Sequence, residues 1–218
     1  MKQAYLFEEL YNEERLSEPV TDLHYFSGLA LDFIAELLLE IDRVTKKSPL
    51  RHMQTPGGYQ MSVAMTNCGE VGWISDKSGY RYSELDPLTG LAWPQMPPVF
   101  RQLASLAATK AGYPLFSPDA CLINQYLPGA KMSLHQDKDE KDFSAPIVSV
   151  SLGVSAVFKI GGMKRSDKLF TIPLHHGDVV VWGKSLRLAY HSISPIKSEN
   201  HPLLGQRRIN LTFRKASF

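Results

Sequence analysis

RRINLTFRK, residues 207–215, is the stretch on which the fold turns. Read as a strand, it puts Arg208, Asn210, Thr212 and Arg214 on one side and Ile209, Leu211 and Phe213 on the other. The apolar side must pack against a core or a covering element. The polar side carries two guanidiniums six residues apart, about 20 Å along a fully extended strand. On an ordinary half-buried strand that side is simply solvated. Turned inward, it holds buried cations that need anions, because an unpaired buried charge costs several kcal/mol. A small dicarboxylate bound inside would supply them, since arginine forks a carboxylate in a way that lysine cannot.

The segments before it agree with an inward-facing strand. From Ser117 onward come DACLINQYLP, KMSLHQD, PIVSVSLGVSAVFKIGG, DKLFTIPL, GDVVVWG and RLAYHSISP. They are short, rich in β-branched residues and separated by Gly, Pro or Asp, which predicts an antiparallel sandwich or jelly roll. Further upstream, SGLALDFIAELLLEIDRVTKK (27–47) spaces Leu29, Phe33, Ile34, Leu37, Leu38, Ile41 and Val44 at helical intervals. Ser27 would be its N-cap and a Lys pair closes it. PPVFRQLASLAATKAGY (97–113) predicts a second helix, with Phe100, Leu103, Ala107 and Ala111 on one face and Gly112 at its end. SPLRHMQTPGGYQMSVAMTNCG turns strand-like after Pro-Gly-Gly. WISDKSGYRYSELDPLTGLAWPQMPP is long and rich in turn residues and aromatics, as a functional or mobile connection would be. Residues 1 to about 25 are irregular in pattern. No linker divides the chain, so residues 1–218 are expected to form a single domain. About 1–95 would be an extension, a helix and a lid, and about 96–218 a supporting helix and the β core.

Bulk composition sets limits. With 218 residues, 44% hydrophobic and 21% charged, the chain is near globular averages and can bury a core. A formal net charge of +2 neither demands nor excludes a nucleic-acid partner. Cys68 and Cys121 make neither a disulfide framework nor a Cys-rich metal site, and they suit a reducing compartment. The N-terminus lacks a secretory layout, and no apolar run reaches the roughly 18 residues of a membrane span. A soluble, cytoplasmic protein is expected. HExxH, CxxC and a Gly-rich phosphate loop are missing from the sequence.

KMSLHQDKDE, residues 131–140, adds metal chemistry. On a strand, His135 and Asp137 point to the same side, and an imidazole with a carboxylate suits a divalent metal. A third ligand should come from another strand. His175 and His176 sit at a turn and His201 in a loop-like run, which leaves His191 in RLAYHSISP as the favoured partner. Two histidines and one carboxylate are the ligand set of non-haem Fe(II) oxygenases, with positions left open for O₂ and a co-substrate. An isolated HxD more often lies in solvent and binds nothing, and a structural zinc site would want four ligands. With the arginines of 207–215, the triad points to 2-oxoglutarate. Its 2-oxo-acid end would lie on the iron beside Arg208 and its other carboxylate on Arg214, with Asn124 and Tyr126 of INQY as hydrogen-bond donors.

At this point the chain closely resembles the AlkB-type Fe(II)/2-oxoglutarate-dependent dioxygenases, the bacterial alkylation-repair enzymes. The resemblance rests on TPGGYQMSVAMTNCG, DACLINQYLPGAKMSLHQDKDE, APIVSVSLG, HGDVVVWG and RRINLTFRKA, from about Thr55 to Ala216. It implies a mainly β fold with flanking helices: a double-stranded β-helix (jelly-roll) core under an N-terminal nucleotide-recognition lid. It implies His135, Asp137 and His191 as iron ligands, and Asn124, Tyr126, Arg208, Asn210 and Arg214 as 2-oxoglutarate contacts. The implied reaction uses Fe(II), O₂ and 2-oxoglutarate to remove small alkyl groups from base nitrogens, as in 1-methyladenine and 3-methylcytosine. It releases formaldehyde, succinate and CO₂.

A target nitrogen on the pairing edge requires a single strand or a flipped base. The resemblance assigns the base to Trp73 and Tyr80, with stacking between Trp73 and His135, and places Asp139 beside an exocyclic amine. Their Gly, Ser, Asp and Lys neighbours also argue against Trp73 and Tyr80 lying in a core strand. Glu140 reads as a solvated charge. Thr55, Tyr59, Met61 and Arg165, with Lys131 and Lys138, would meet the nucleic acid, and only as a cluster do they carry weight. Asp76 departs from the family, which can carry a basic residue in that lid position. Implied partners are alkylated single- or double-stranded DNA, with RNA as an alternative, bound by a monomer and without a membrane. Three rival readings share parts of this pattern: an oxygenase acting on RNA, protein or a small molecule, a non-catalytic jelly-roll binding module, and a zinc hydrolase. The last is weakened because no general base stands beside the ligands.

Overall fold

The structure is a computed structural model that describes residues 20–217; the irregular reading of residues 1–19 lies outside that range. Strand β13 (Arg208–Arg214) is buried along its whole length and lies at the centre of a seven-stranded sheet. The other strands of that sheet are β1 (Leu23–Phe26), β2 (Arg51–Gln54), β3 (Gln60–Gly69), β6 (Ala120–Tyr126), β8 (Ile147–Gly153) and β11 (Val179–Trp182). Their order is β1-β11-β8-β13-β6-β3-β2, with antiparallel pairing throughout. A second sheet runs β10-β9-β12-β7, from β7 (Met132–His135), β9 (Ala156–Ile160), β10 (Phe170–Leu174) and β12 (His191–Ile193). The two sheets are the walls of the jelly roll. A separate hairpin of β4 (Gly72–Asp76) and β5 (Gly79–Ser83) stands beside them.

The alternation of β13 explains its place. Ile209, Leu211 and Phe213 join a core with α1 (Ile34–Lys47) and α2 (Pro98–Lys110), which cover the outer face of the large sheet. Phe100 of α2 meets Phe213 edge to face at 6.0 Å. Each such side chain contributes about 1.5–3 kcal/mol on burial. The polar side of β13 looks inward instead, onto a cavity that it shares with Phe158, His191 and Ile193 of the second sheet.

Several element boundaries differ from expectation. Ser27 is not a helix cap: α1 begins at Ile34, after a 3₁₀ turn at Leu31–Phe33, and neither start has a side-chain cap. The backbone is diverted earlier, where Gly28 adopts φ 66° and its N–H donates to Asp178 Oδ1 at 2.9 Å. Of the predicted apolar stripe, Ile34, Leu37, Ile41 and Val44 are buried, and Leu29, Phe33 and Leu38 pack partly against them. Leu23–Phe26, in the run read as irregular, is a strand paired with β11, too short to show its alternation. PIVSVSLGVSAVFKIGG breaks into β8 and β9, which belong to different sheets. The break falls at Gly153, with φ 90°, where a Cβ would lie 2.2 Å from the carbonyl of Arg207. The first part of the long connection forms the β4–β5 hairpin, and buried Asp86, Trp93 and Met96 hold the rest against the body.

Candidate active site

A cavity of about 620 Å³ opens between the sheets under the hairpin, in the usual range for ligand sites. Every residue expected to bind metal, acid, base or strand lines it: His135, Asp137, His191, Asn124, Tyr126, Arg208, Asn210, Arg214, Trp73, Tyr80, Asp139, Arg165, Thr55, Tyr59 and Met61.

The two histidines meet because β7 and β12 pair. His135 and His191 are direct cross-strand partners, with ring centroids 4.3 Å apart, and the register shifts immediately beyond them. Such irregularities re-aim side chains beside active sites. Asp137 arrives by another route than the one expected. Strand β7 ends at His135, so Asp137 stands in the following loop and strand periodicity does not align the pair. Its Oδ1 lies 3.7 Å from His135 Nε2 and its Oδ2 3.8 Å from His191 Nε2. One ligand atom from each of the three residues falls within 4.8 Å of the others.

The hydrogen bonds around the triad fix its donor atoms. His135 Nδ1 lies 2.8 Å from the carbonyl of Ser133, and His191 Nδ1 lies 3.0 Å from that of Ala189. A carbonyl only accepts, so each Nδ1 carries a proton, and Nε2 is the nitrogen of each ring that can serve a metal. Burial, reinforced by His135, lowers the His191 pKa to about 4, which keeps that imidazole neutral. Burial alone would raise the Asp137 carboxyl, but Arg214, then His191 and His135, outweigh it and hold it well below the usual carboxylate range. His135 is the open side of the triad, with 37% of its side chain exposed against 7% for His191. Two imidazole nitrogens and one carboxylate oxygen, converging with one side free, fit a ferrous ion in the facial arrangement.

The arginines are divided differently from expectation. Arg214, expected at the far carboxylate of a bound acid, instead donates from Nε and Nη2 to Asp137 Oδ2 at 2.9 and 2.7 Å. It therefore stands at the metal end. Arg208 lies at the other end of β13, 1% exposed, over the Tyr126 ring at 4.9 Å. Its Nη2 donates to Ser151 Oγ at 3.1 Å, while Nε and Nη1 are buried and meet no acceptor among the described residues. Asn124 Oδ1 is likewise unmatched. Asn210 is held by Ser149 and the carbonyl of Val150 at 2.8 and 2.9 Å.

The hairpin carries the expected aromatics, on strands rather than in loops. Gly72 permits its close approach: a Cβ there would lie 2.4 Å from the Trp93 ring. Buried Asn67 then clamps the Trp73 backbone, accepting from its N–H at 3.0 Å and donating to its carbonyl at 2.9 Å. Trp73 stacks on Tyr80 at 5.6 Å and 14°, and its Nε1 donates to Asp139 Oδ2 at 2.8 Å. Asp76 is matched by Arg81 across the hairpin, at 3.0 and 2.7 Å, which with the Ser78 amide lowers its pKa to about 2. Tyr59 is 79% exposed at the rim, and the Arg165 guanidinium sits 5.1 Å above the Tyr190 ring.

Glu140 is not a solvated charge. It is buried, accepting from Tyr82 Oη at 2.6 Å and Arg187 Nη2 at 3.1 Å, and its Oε1 lies 3.4 Å from Arg214 Nε. Arg187 was invisible in the sequence, since it belongs to no spaced pattern, whereas Tyr82 follows Tyr80 by two residues in GYRYS and so shares its face of the strand. Ser149 and Ser151 were visible in principle: they alternate with Val148, Val150 and Leu152 in PIVSVSLG, which puts them on the inward side of β8.

Fold and site define a class, the non-haem iron oxygenases that consume a 2-oxo acid. Residues 23–214 match the 2OG-Fe(II) oxygenase superfamily, and the chain belongs to it, among the AlkB-type dioxygenases. It is 58% identical to the alpha-ketoglutarate-dependent dioxygenase AlkB of Escherichia coli K12 over 187 residues, 86% of this chain and 87% of that one. A homologue from Caulobacter vibrioides is 45% identical over 172 residues, 78% of this chain and 76% of its own. Among solved structures, OsALKBH1 superposes with a TM-score of 0.79 at 28% identity, over 92% of this chain and 99% of that one.

Proposed function

We infer that this protein is an oxidative dealkylase of N-alkylated nucleic-acid bases, such as 1-methyladenine and 3-methylcytosine, dependent on Fe(II), O₂ and 2-oxoglutarate. The observation that carries the reading is the pairing of a two-histidine, one-carboxylate triad with a buried arginine that still seeks an anion, under an aromatic hairpin.

His135, Asp137 and His191 would hold the iron. The charges around them decide where the acid goes. Asp137 and Glu140 balance Arg214 and Arg187, whereas Arg208 has no carboxylate partner among the described residues. The far carboxylate of 2-oxoglutarate therefore belongs on Arg208, with Tyr126 and Asn124 beside it, and Arg214 serves the metal end through Asp137. When bound, iron with 2-oxoglutarate and O₂ supplies the oxidation: the acid leaves as succinate and CO₂, and one oxygen atom enters the alkyl group of the base. The hydroxymethyl product on the ring nitrogen then breaks its C–N bond, releasing formaldehyde and the repaired base.

The chain's own part is positioning. Trp73 and His135 would flank the ring, Asp139 would accept from its exocyclic amine, and Tyr80 and Met61 would close the slot. Stacking of this kind is worth about 1–3 kcal/mol per base. Thr55, Tyr59, Lys131, Lys138 and Arg165 at the rim would meet the strand. The hairpin shares one apolar cluster with β3 and β6, through Ile74, Val63 and Leu122, which supports a single cooperative domain. All these groups come from one chain, which supports action as a monomer. The two buried free thiols, Cys68 and Cys121, suit the cytoplasm. No helix among the described residues is long and apolar enough to cross a membrane.

The test is incubation with Fe(II), 2-oxoglutarate and single-stranded DNA carrying 1-methyladenine. Formaldehyde and unmethylated adenine are expected in equal amounts. Succinate formation with the methylated base left intact would point instead to an oxygenase of another substrate.

A further inference from the structure

The loop between β7 and β8 contains the metal ligand Asp137 but no helix or strand of its own, so side chains must give it shape. Buried Arg187 does much of this. It donates from Nη1 to the Asp137 carbonyl at 2.9 Å, from Nη2 to Glu140 Oε2 at 3.1 Å and from Nε to the Ala145 carbonyl at 3.0 Å. The hairpin grips the same loop at two points. Trp73 and Tyr82 are directly opposed across β4 and β5, so their side chains share a face. Trp73 Nε1 donates to Asp139, and Tyr82 Oη donates to Glu140, two consecutive carboxylates.

The two grips differ in access. Trp73 and Asp139 both line the cavity, where a base would compete for the Asp139 carboxylate. Glu140 is sealed away from solvent and is shared with Arg187 and Arg214, the arginines that touch Asp137. A chain of hydrogen bonds and ion pairs thus runs from the lid to the metal ligand by way of Tyr82, Glu140 and these two arginines. Buried charge-assisted bonds of this kind are the strong ones and do not exchange readily with water.

We propose that Tyr82 and Glu140 form a fixed anchor that keeps the hairpin in register with the Asp137 loop while Trp73 releases Asp139 to the incoming base. Both are positioning residues: they act through the lid and the loop, not on the reacting atoms. This rests on the reading that the base amine takes Asp139. It adds that the lid holds its place at the metal through a contact that the substrate never touches.

The experiment is Tyr82→Phe, which removes one hydroxyl. In metal-free protein, hydrogen exchange read by mass spectrometry is expected to quicken about tenfold or more in residues 72–83 and 137–145, as the loss of a bond to a charged group would give. Exchange in β13 is expected to stay as in the parent. Unchanged exchange at 72–83 would overturn the anchor. So would an increase that extends through β13, because the hydroxyl would then be holding the fold at large. In the holoenzyme with 2-oxoglutarate and methylated oligonucleotide, formaldehyde released per succinate should fall severalfold, since the base is held out of register. An equal loss of both products, with the ratio preserved, contradicts the proposal. The exchange measurement uses no substrate, so it judges the anchor even if methylated DNA proves not to be turned over.

Discussion

Arg208 is the residue whose surroundings say most about what is missing from the polypeptide. A guanidinium with two unmatched buried nitrogens is tolerable only if a ligand completes it. Arg208→Gln should raise the KM for 2-oxoglutarate roughly 10- to 100-fold, the worth of a hydrogen bond to a charged group. Metal affinity should stay near that of the parent, because Arg208 touches none of the three ligands. Steady-state kinetics in the acid and a metal titration check the two halves, and an unchanged KM would remove Arg208 from the acid site. At this scale the sequence was informative about residue types and silent about pairing. His135, Asp137 and His191 could be picked out because few other side chains suit iron. Which arginine stands beside the triad depends on the partner of Asp137, and that partner lies 77 residues along the chain. Glu140 read as solvated for the same reason: Arg187, which neutralises it, lies 47 residues away.

Elements translate those pairings into geometry. The alternation in residues 208–214 specified both faces of β13, since a central strand cannot shift by one residue without burying its charges in the helix-covered core. Leu211→Ala should therefore cost about 2–5 kcal/mol in urea unfolding, as a cavity forms between β13 and the helices. A loss below about 1 kcal/mol would mean that this side is not the packed one. The β4–β5 hairpin was harder to read. Its turn residues announced a loop, and only the clamp from Asn67 and the glycine approach at 72 show why a strand pair can sit there. Trp73→Ala should weaken binding of methylated single-stranded DNA about 5- to 150-fold, the equivalent of one stacked base, while the protein keeps its iron. Equilibrium binding and metal content measured on one preparation separate these effects. Loss of iron in that variant would show that Trp73 supports the metal site rather than the base.

At the scale of the whole molecule, the jelly roll does what no single strand can. It brings β13 from one sheet and the His135–His191 pair from the other to opposite walls of one cavity, and sets a hairpin over its mouth. The spacing of short strands suggested such a fold. It did not reveal that β8 and β9 part company at Gly153 to serve different sheets, because the backbone that approaches that glycine is that of Arg207, distant in sequence. So built, the cavity couples decarboxylation of 2-oxoglutarate to oxidation of an N-alkyl group. Turnover of 1-methyladenine-containing DNA under ¹⁸O₂ tests it most directly. Succinate carrying one labelled oxygen is expected, formed in step with formaldehyde, and neither product from Asp137→Ala. Unlabelled succinate, or normal turnover by the Asp137 variant, would contradict it.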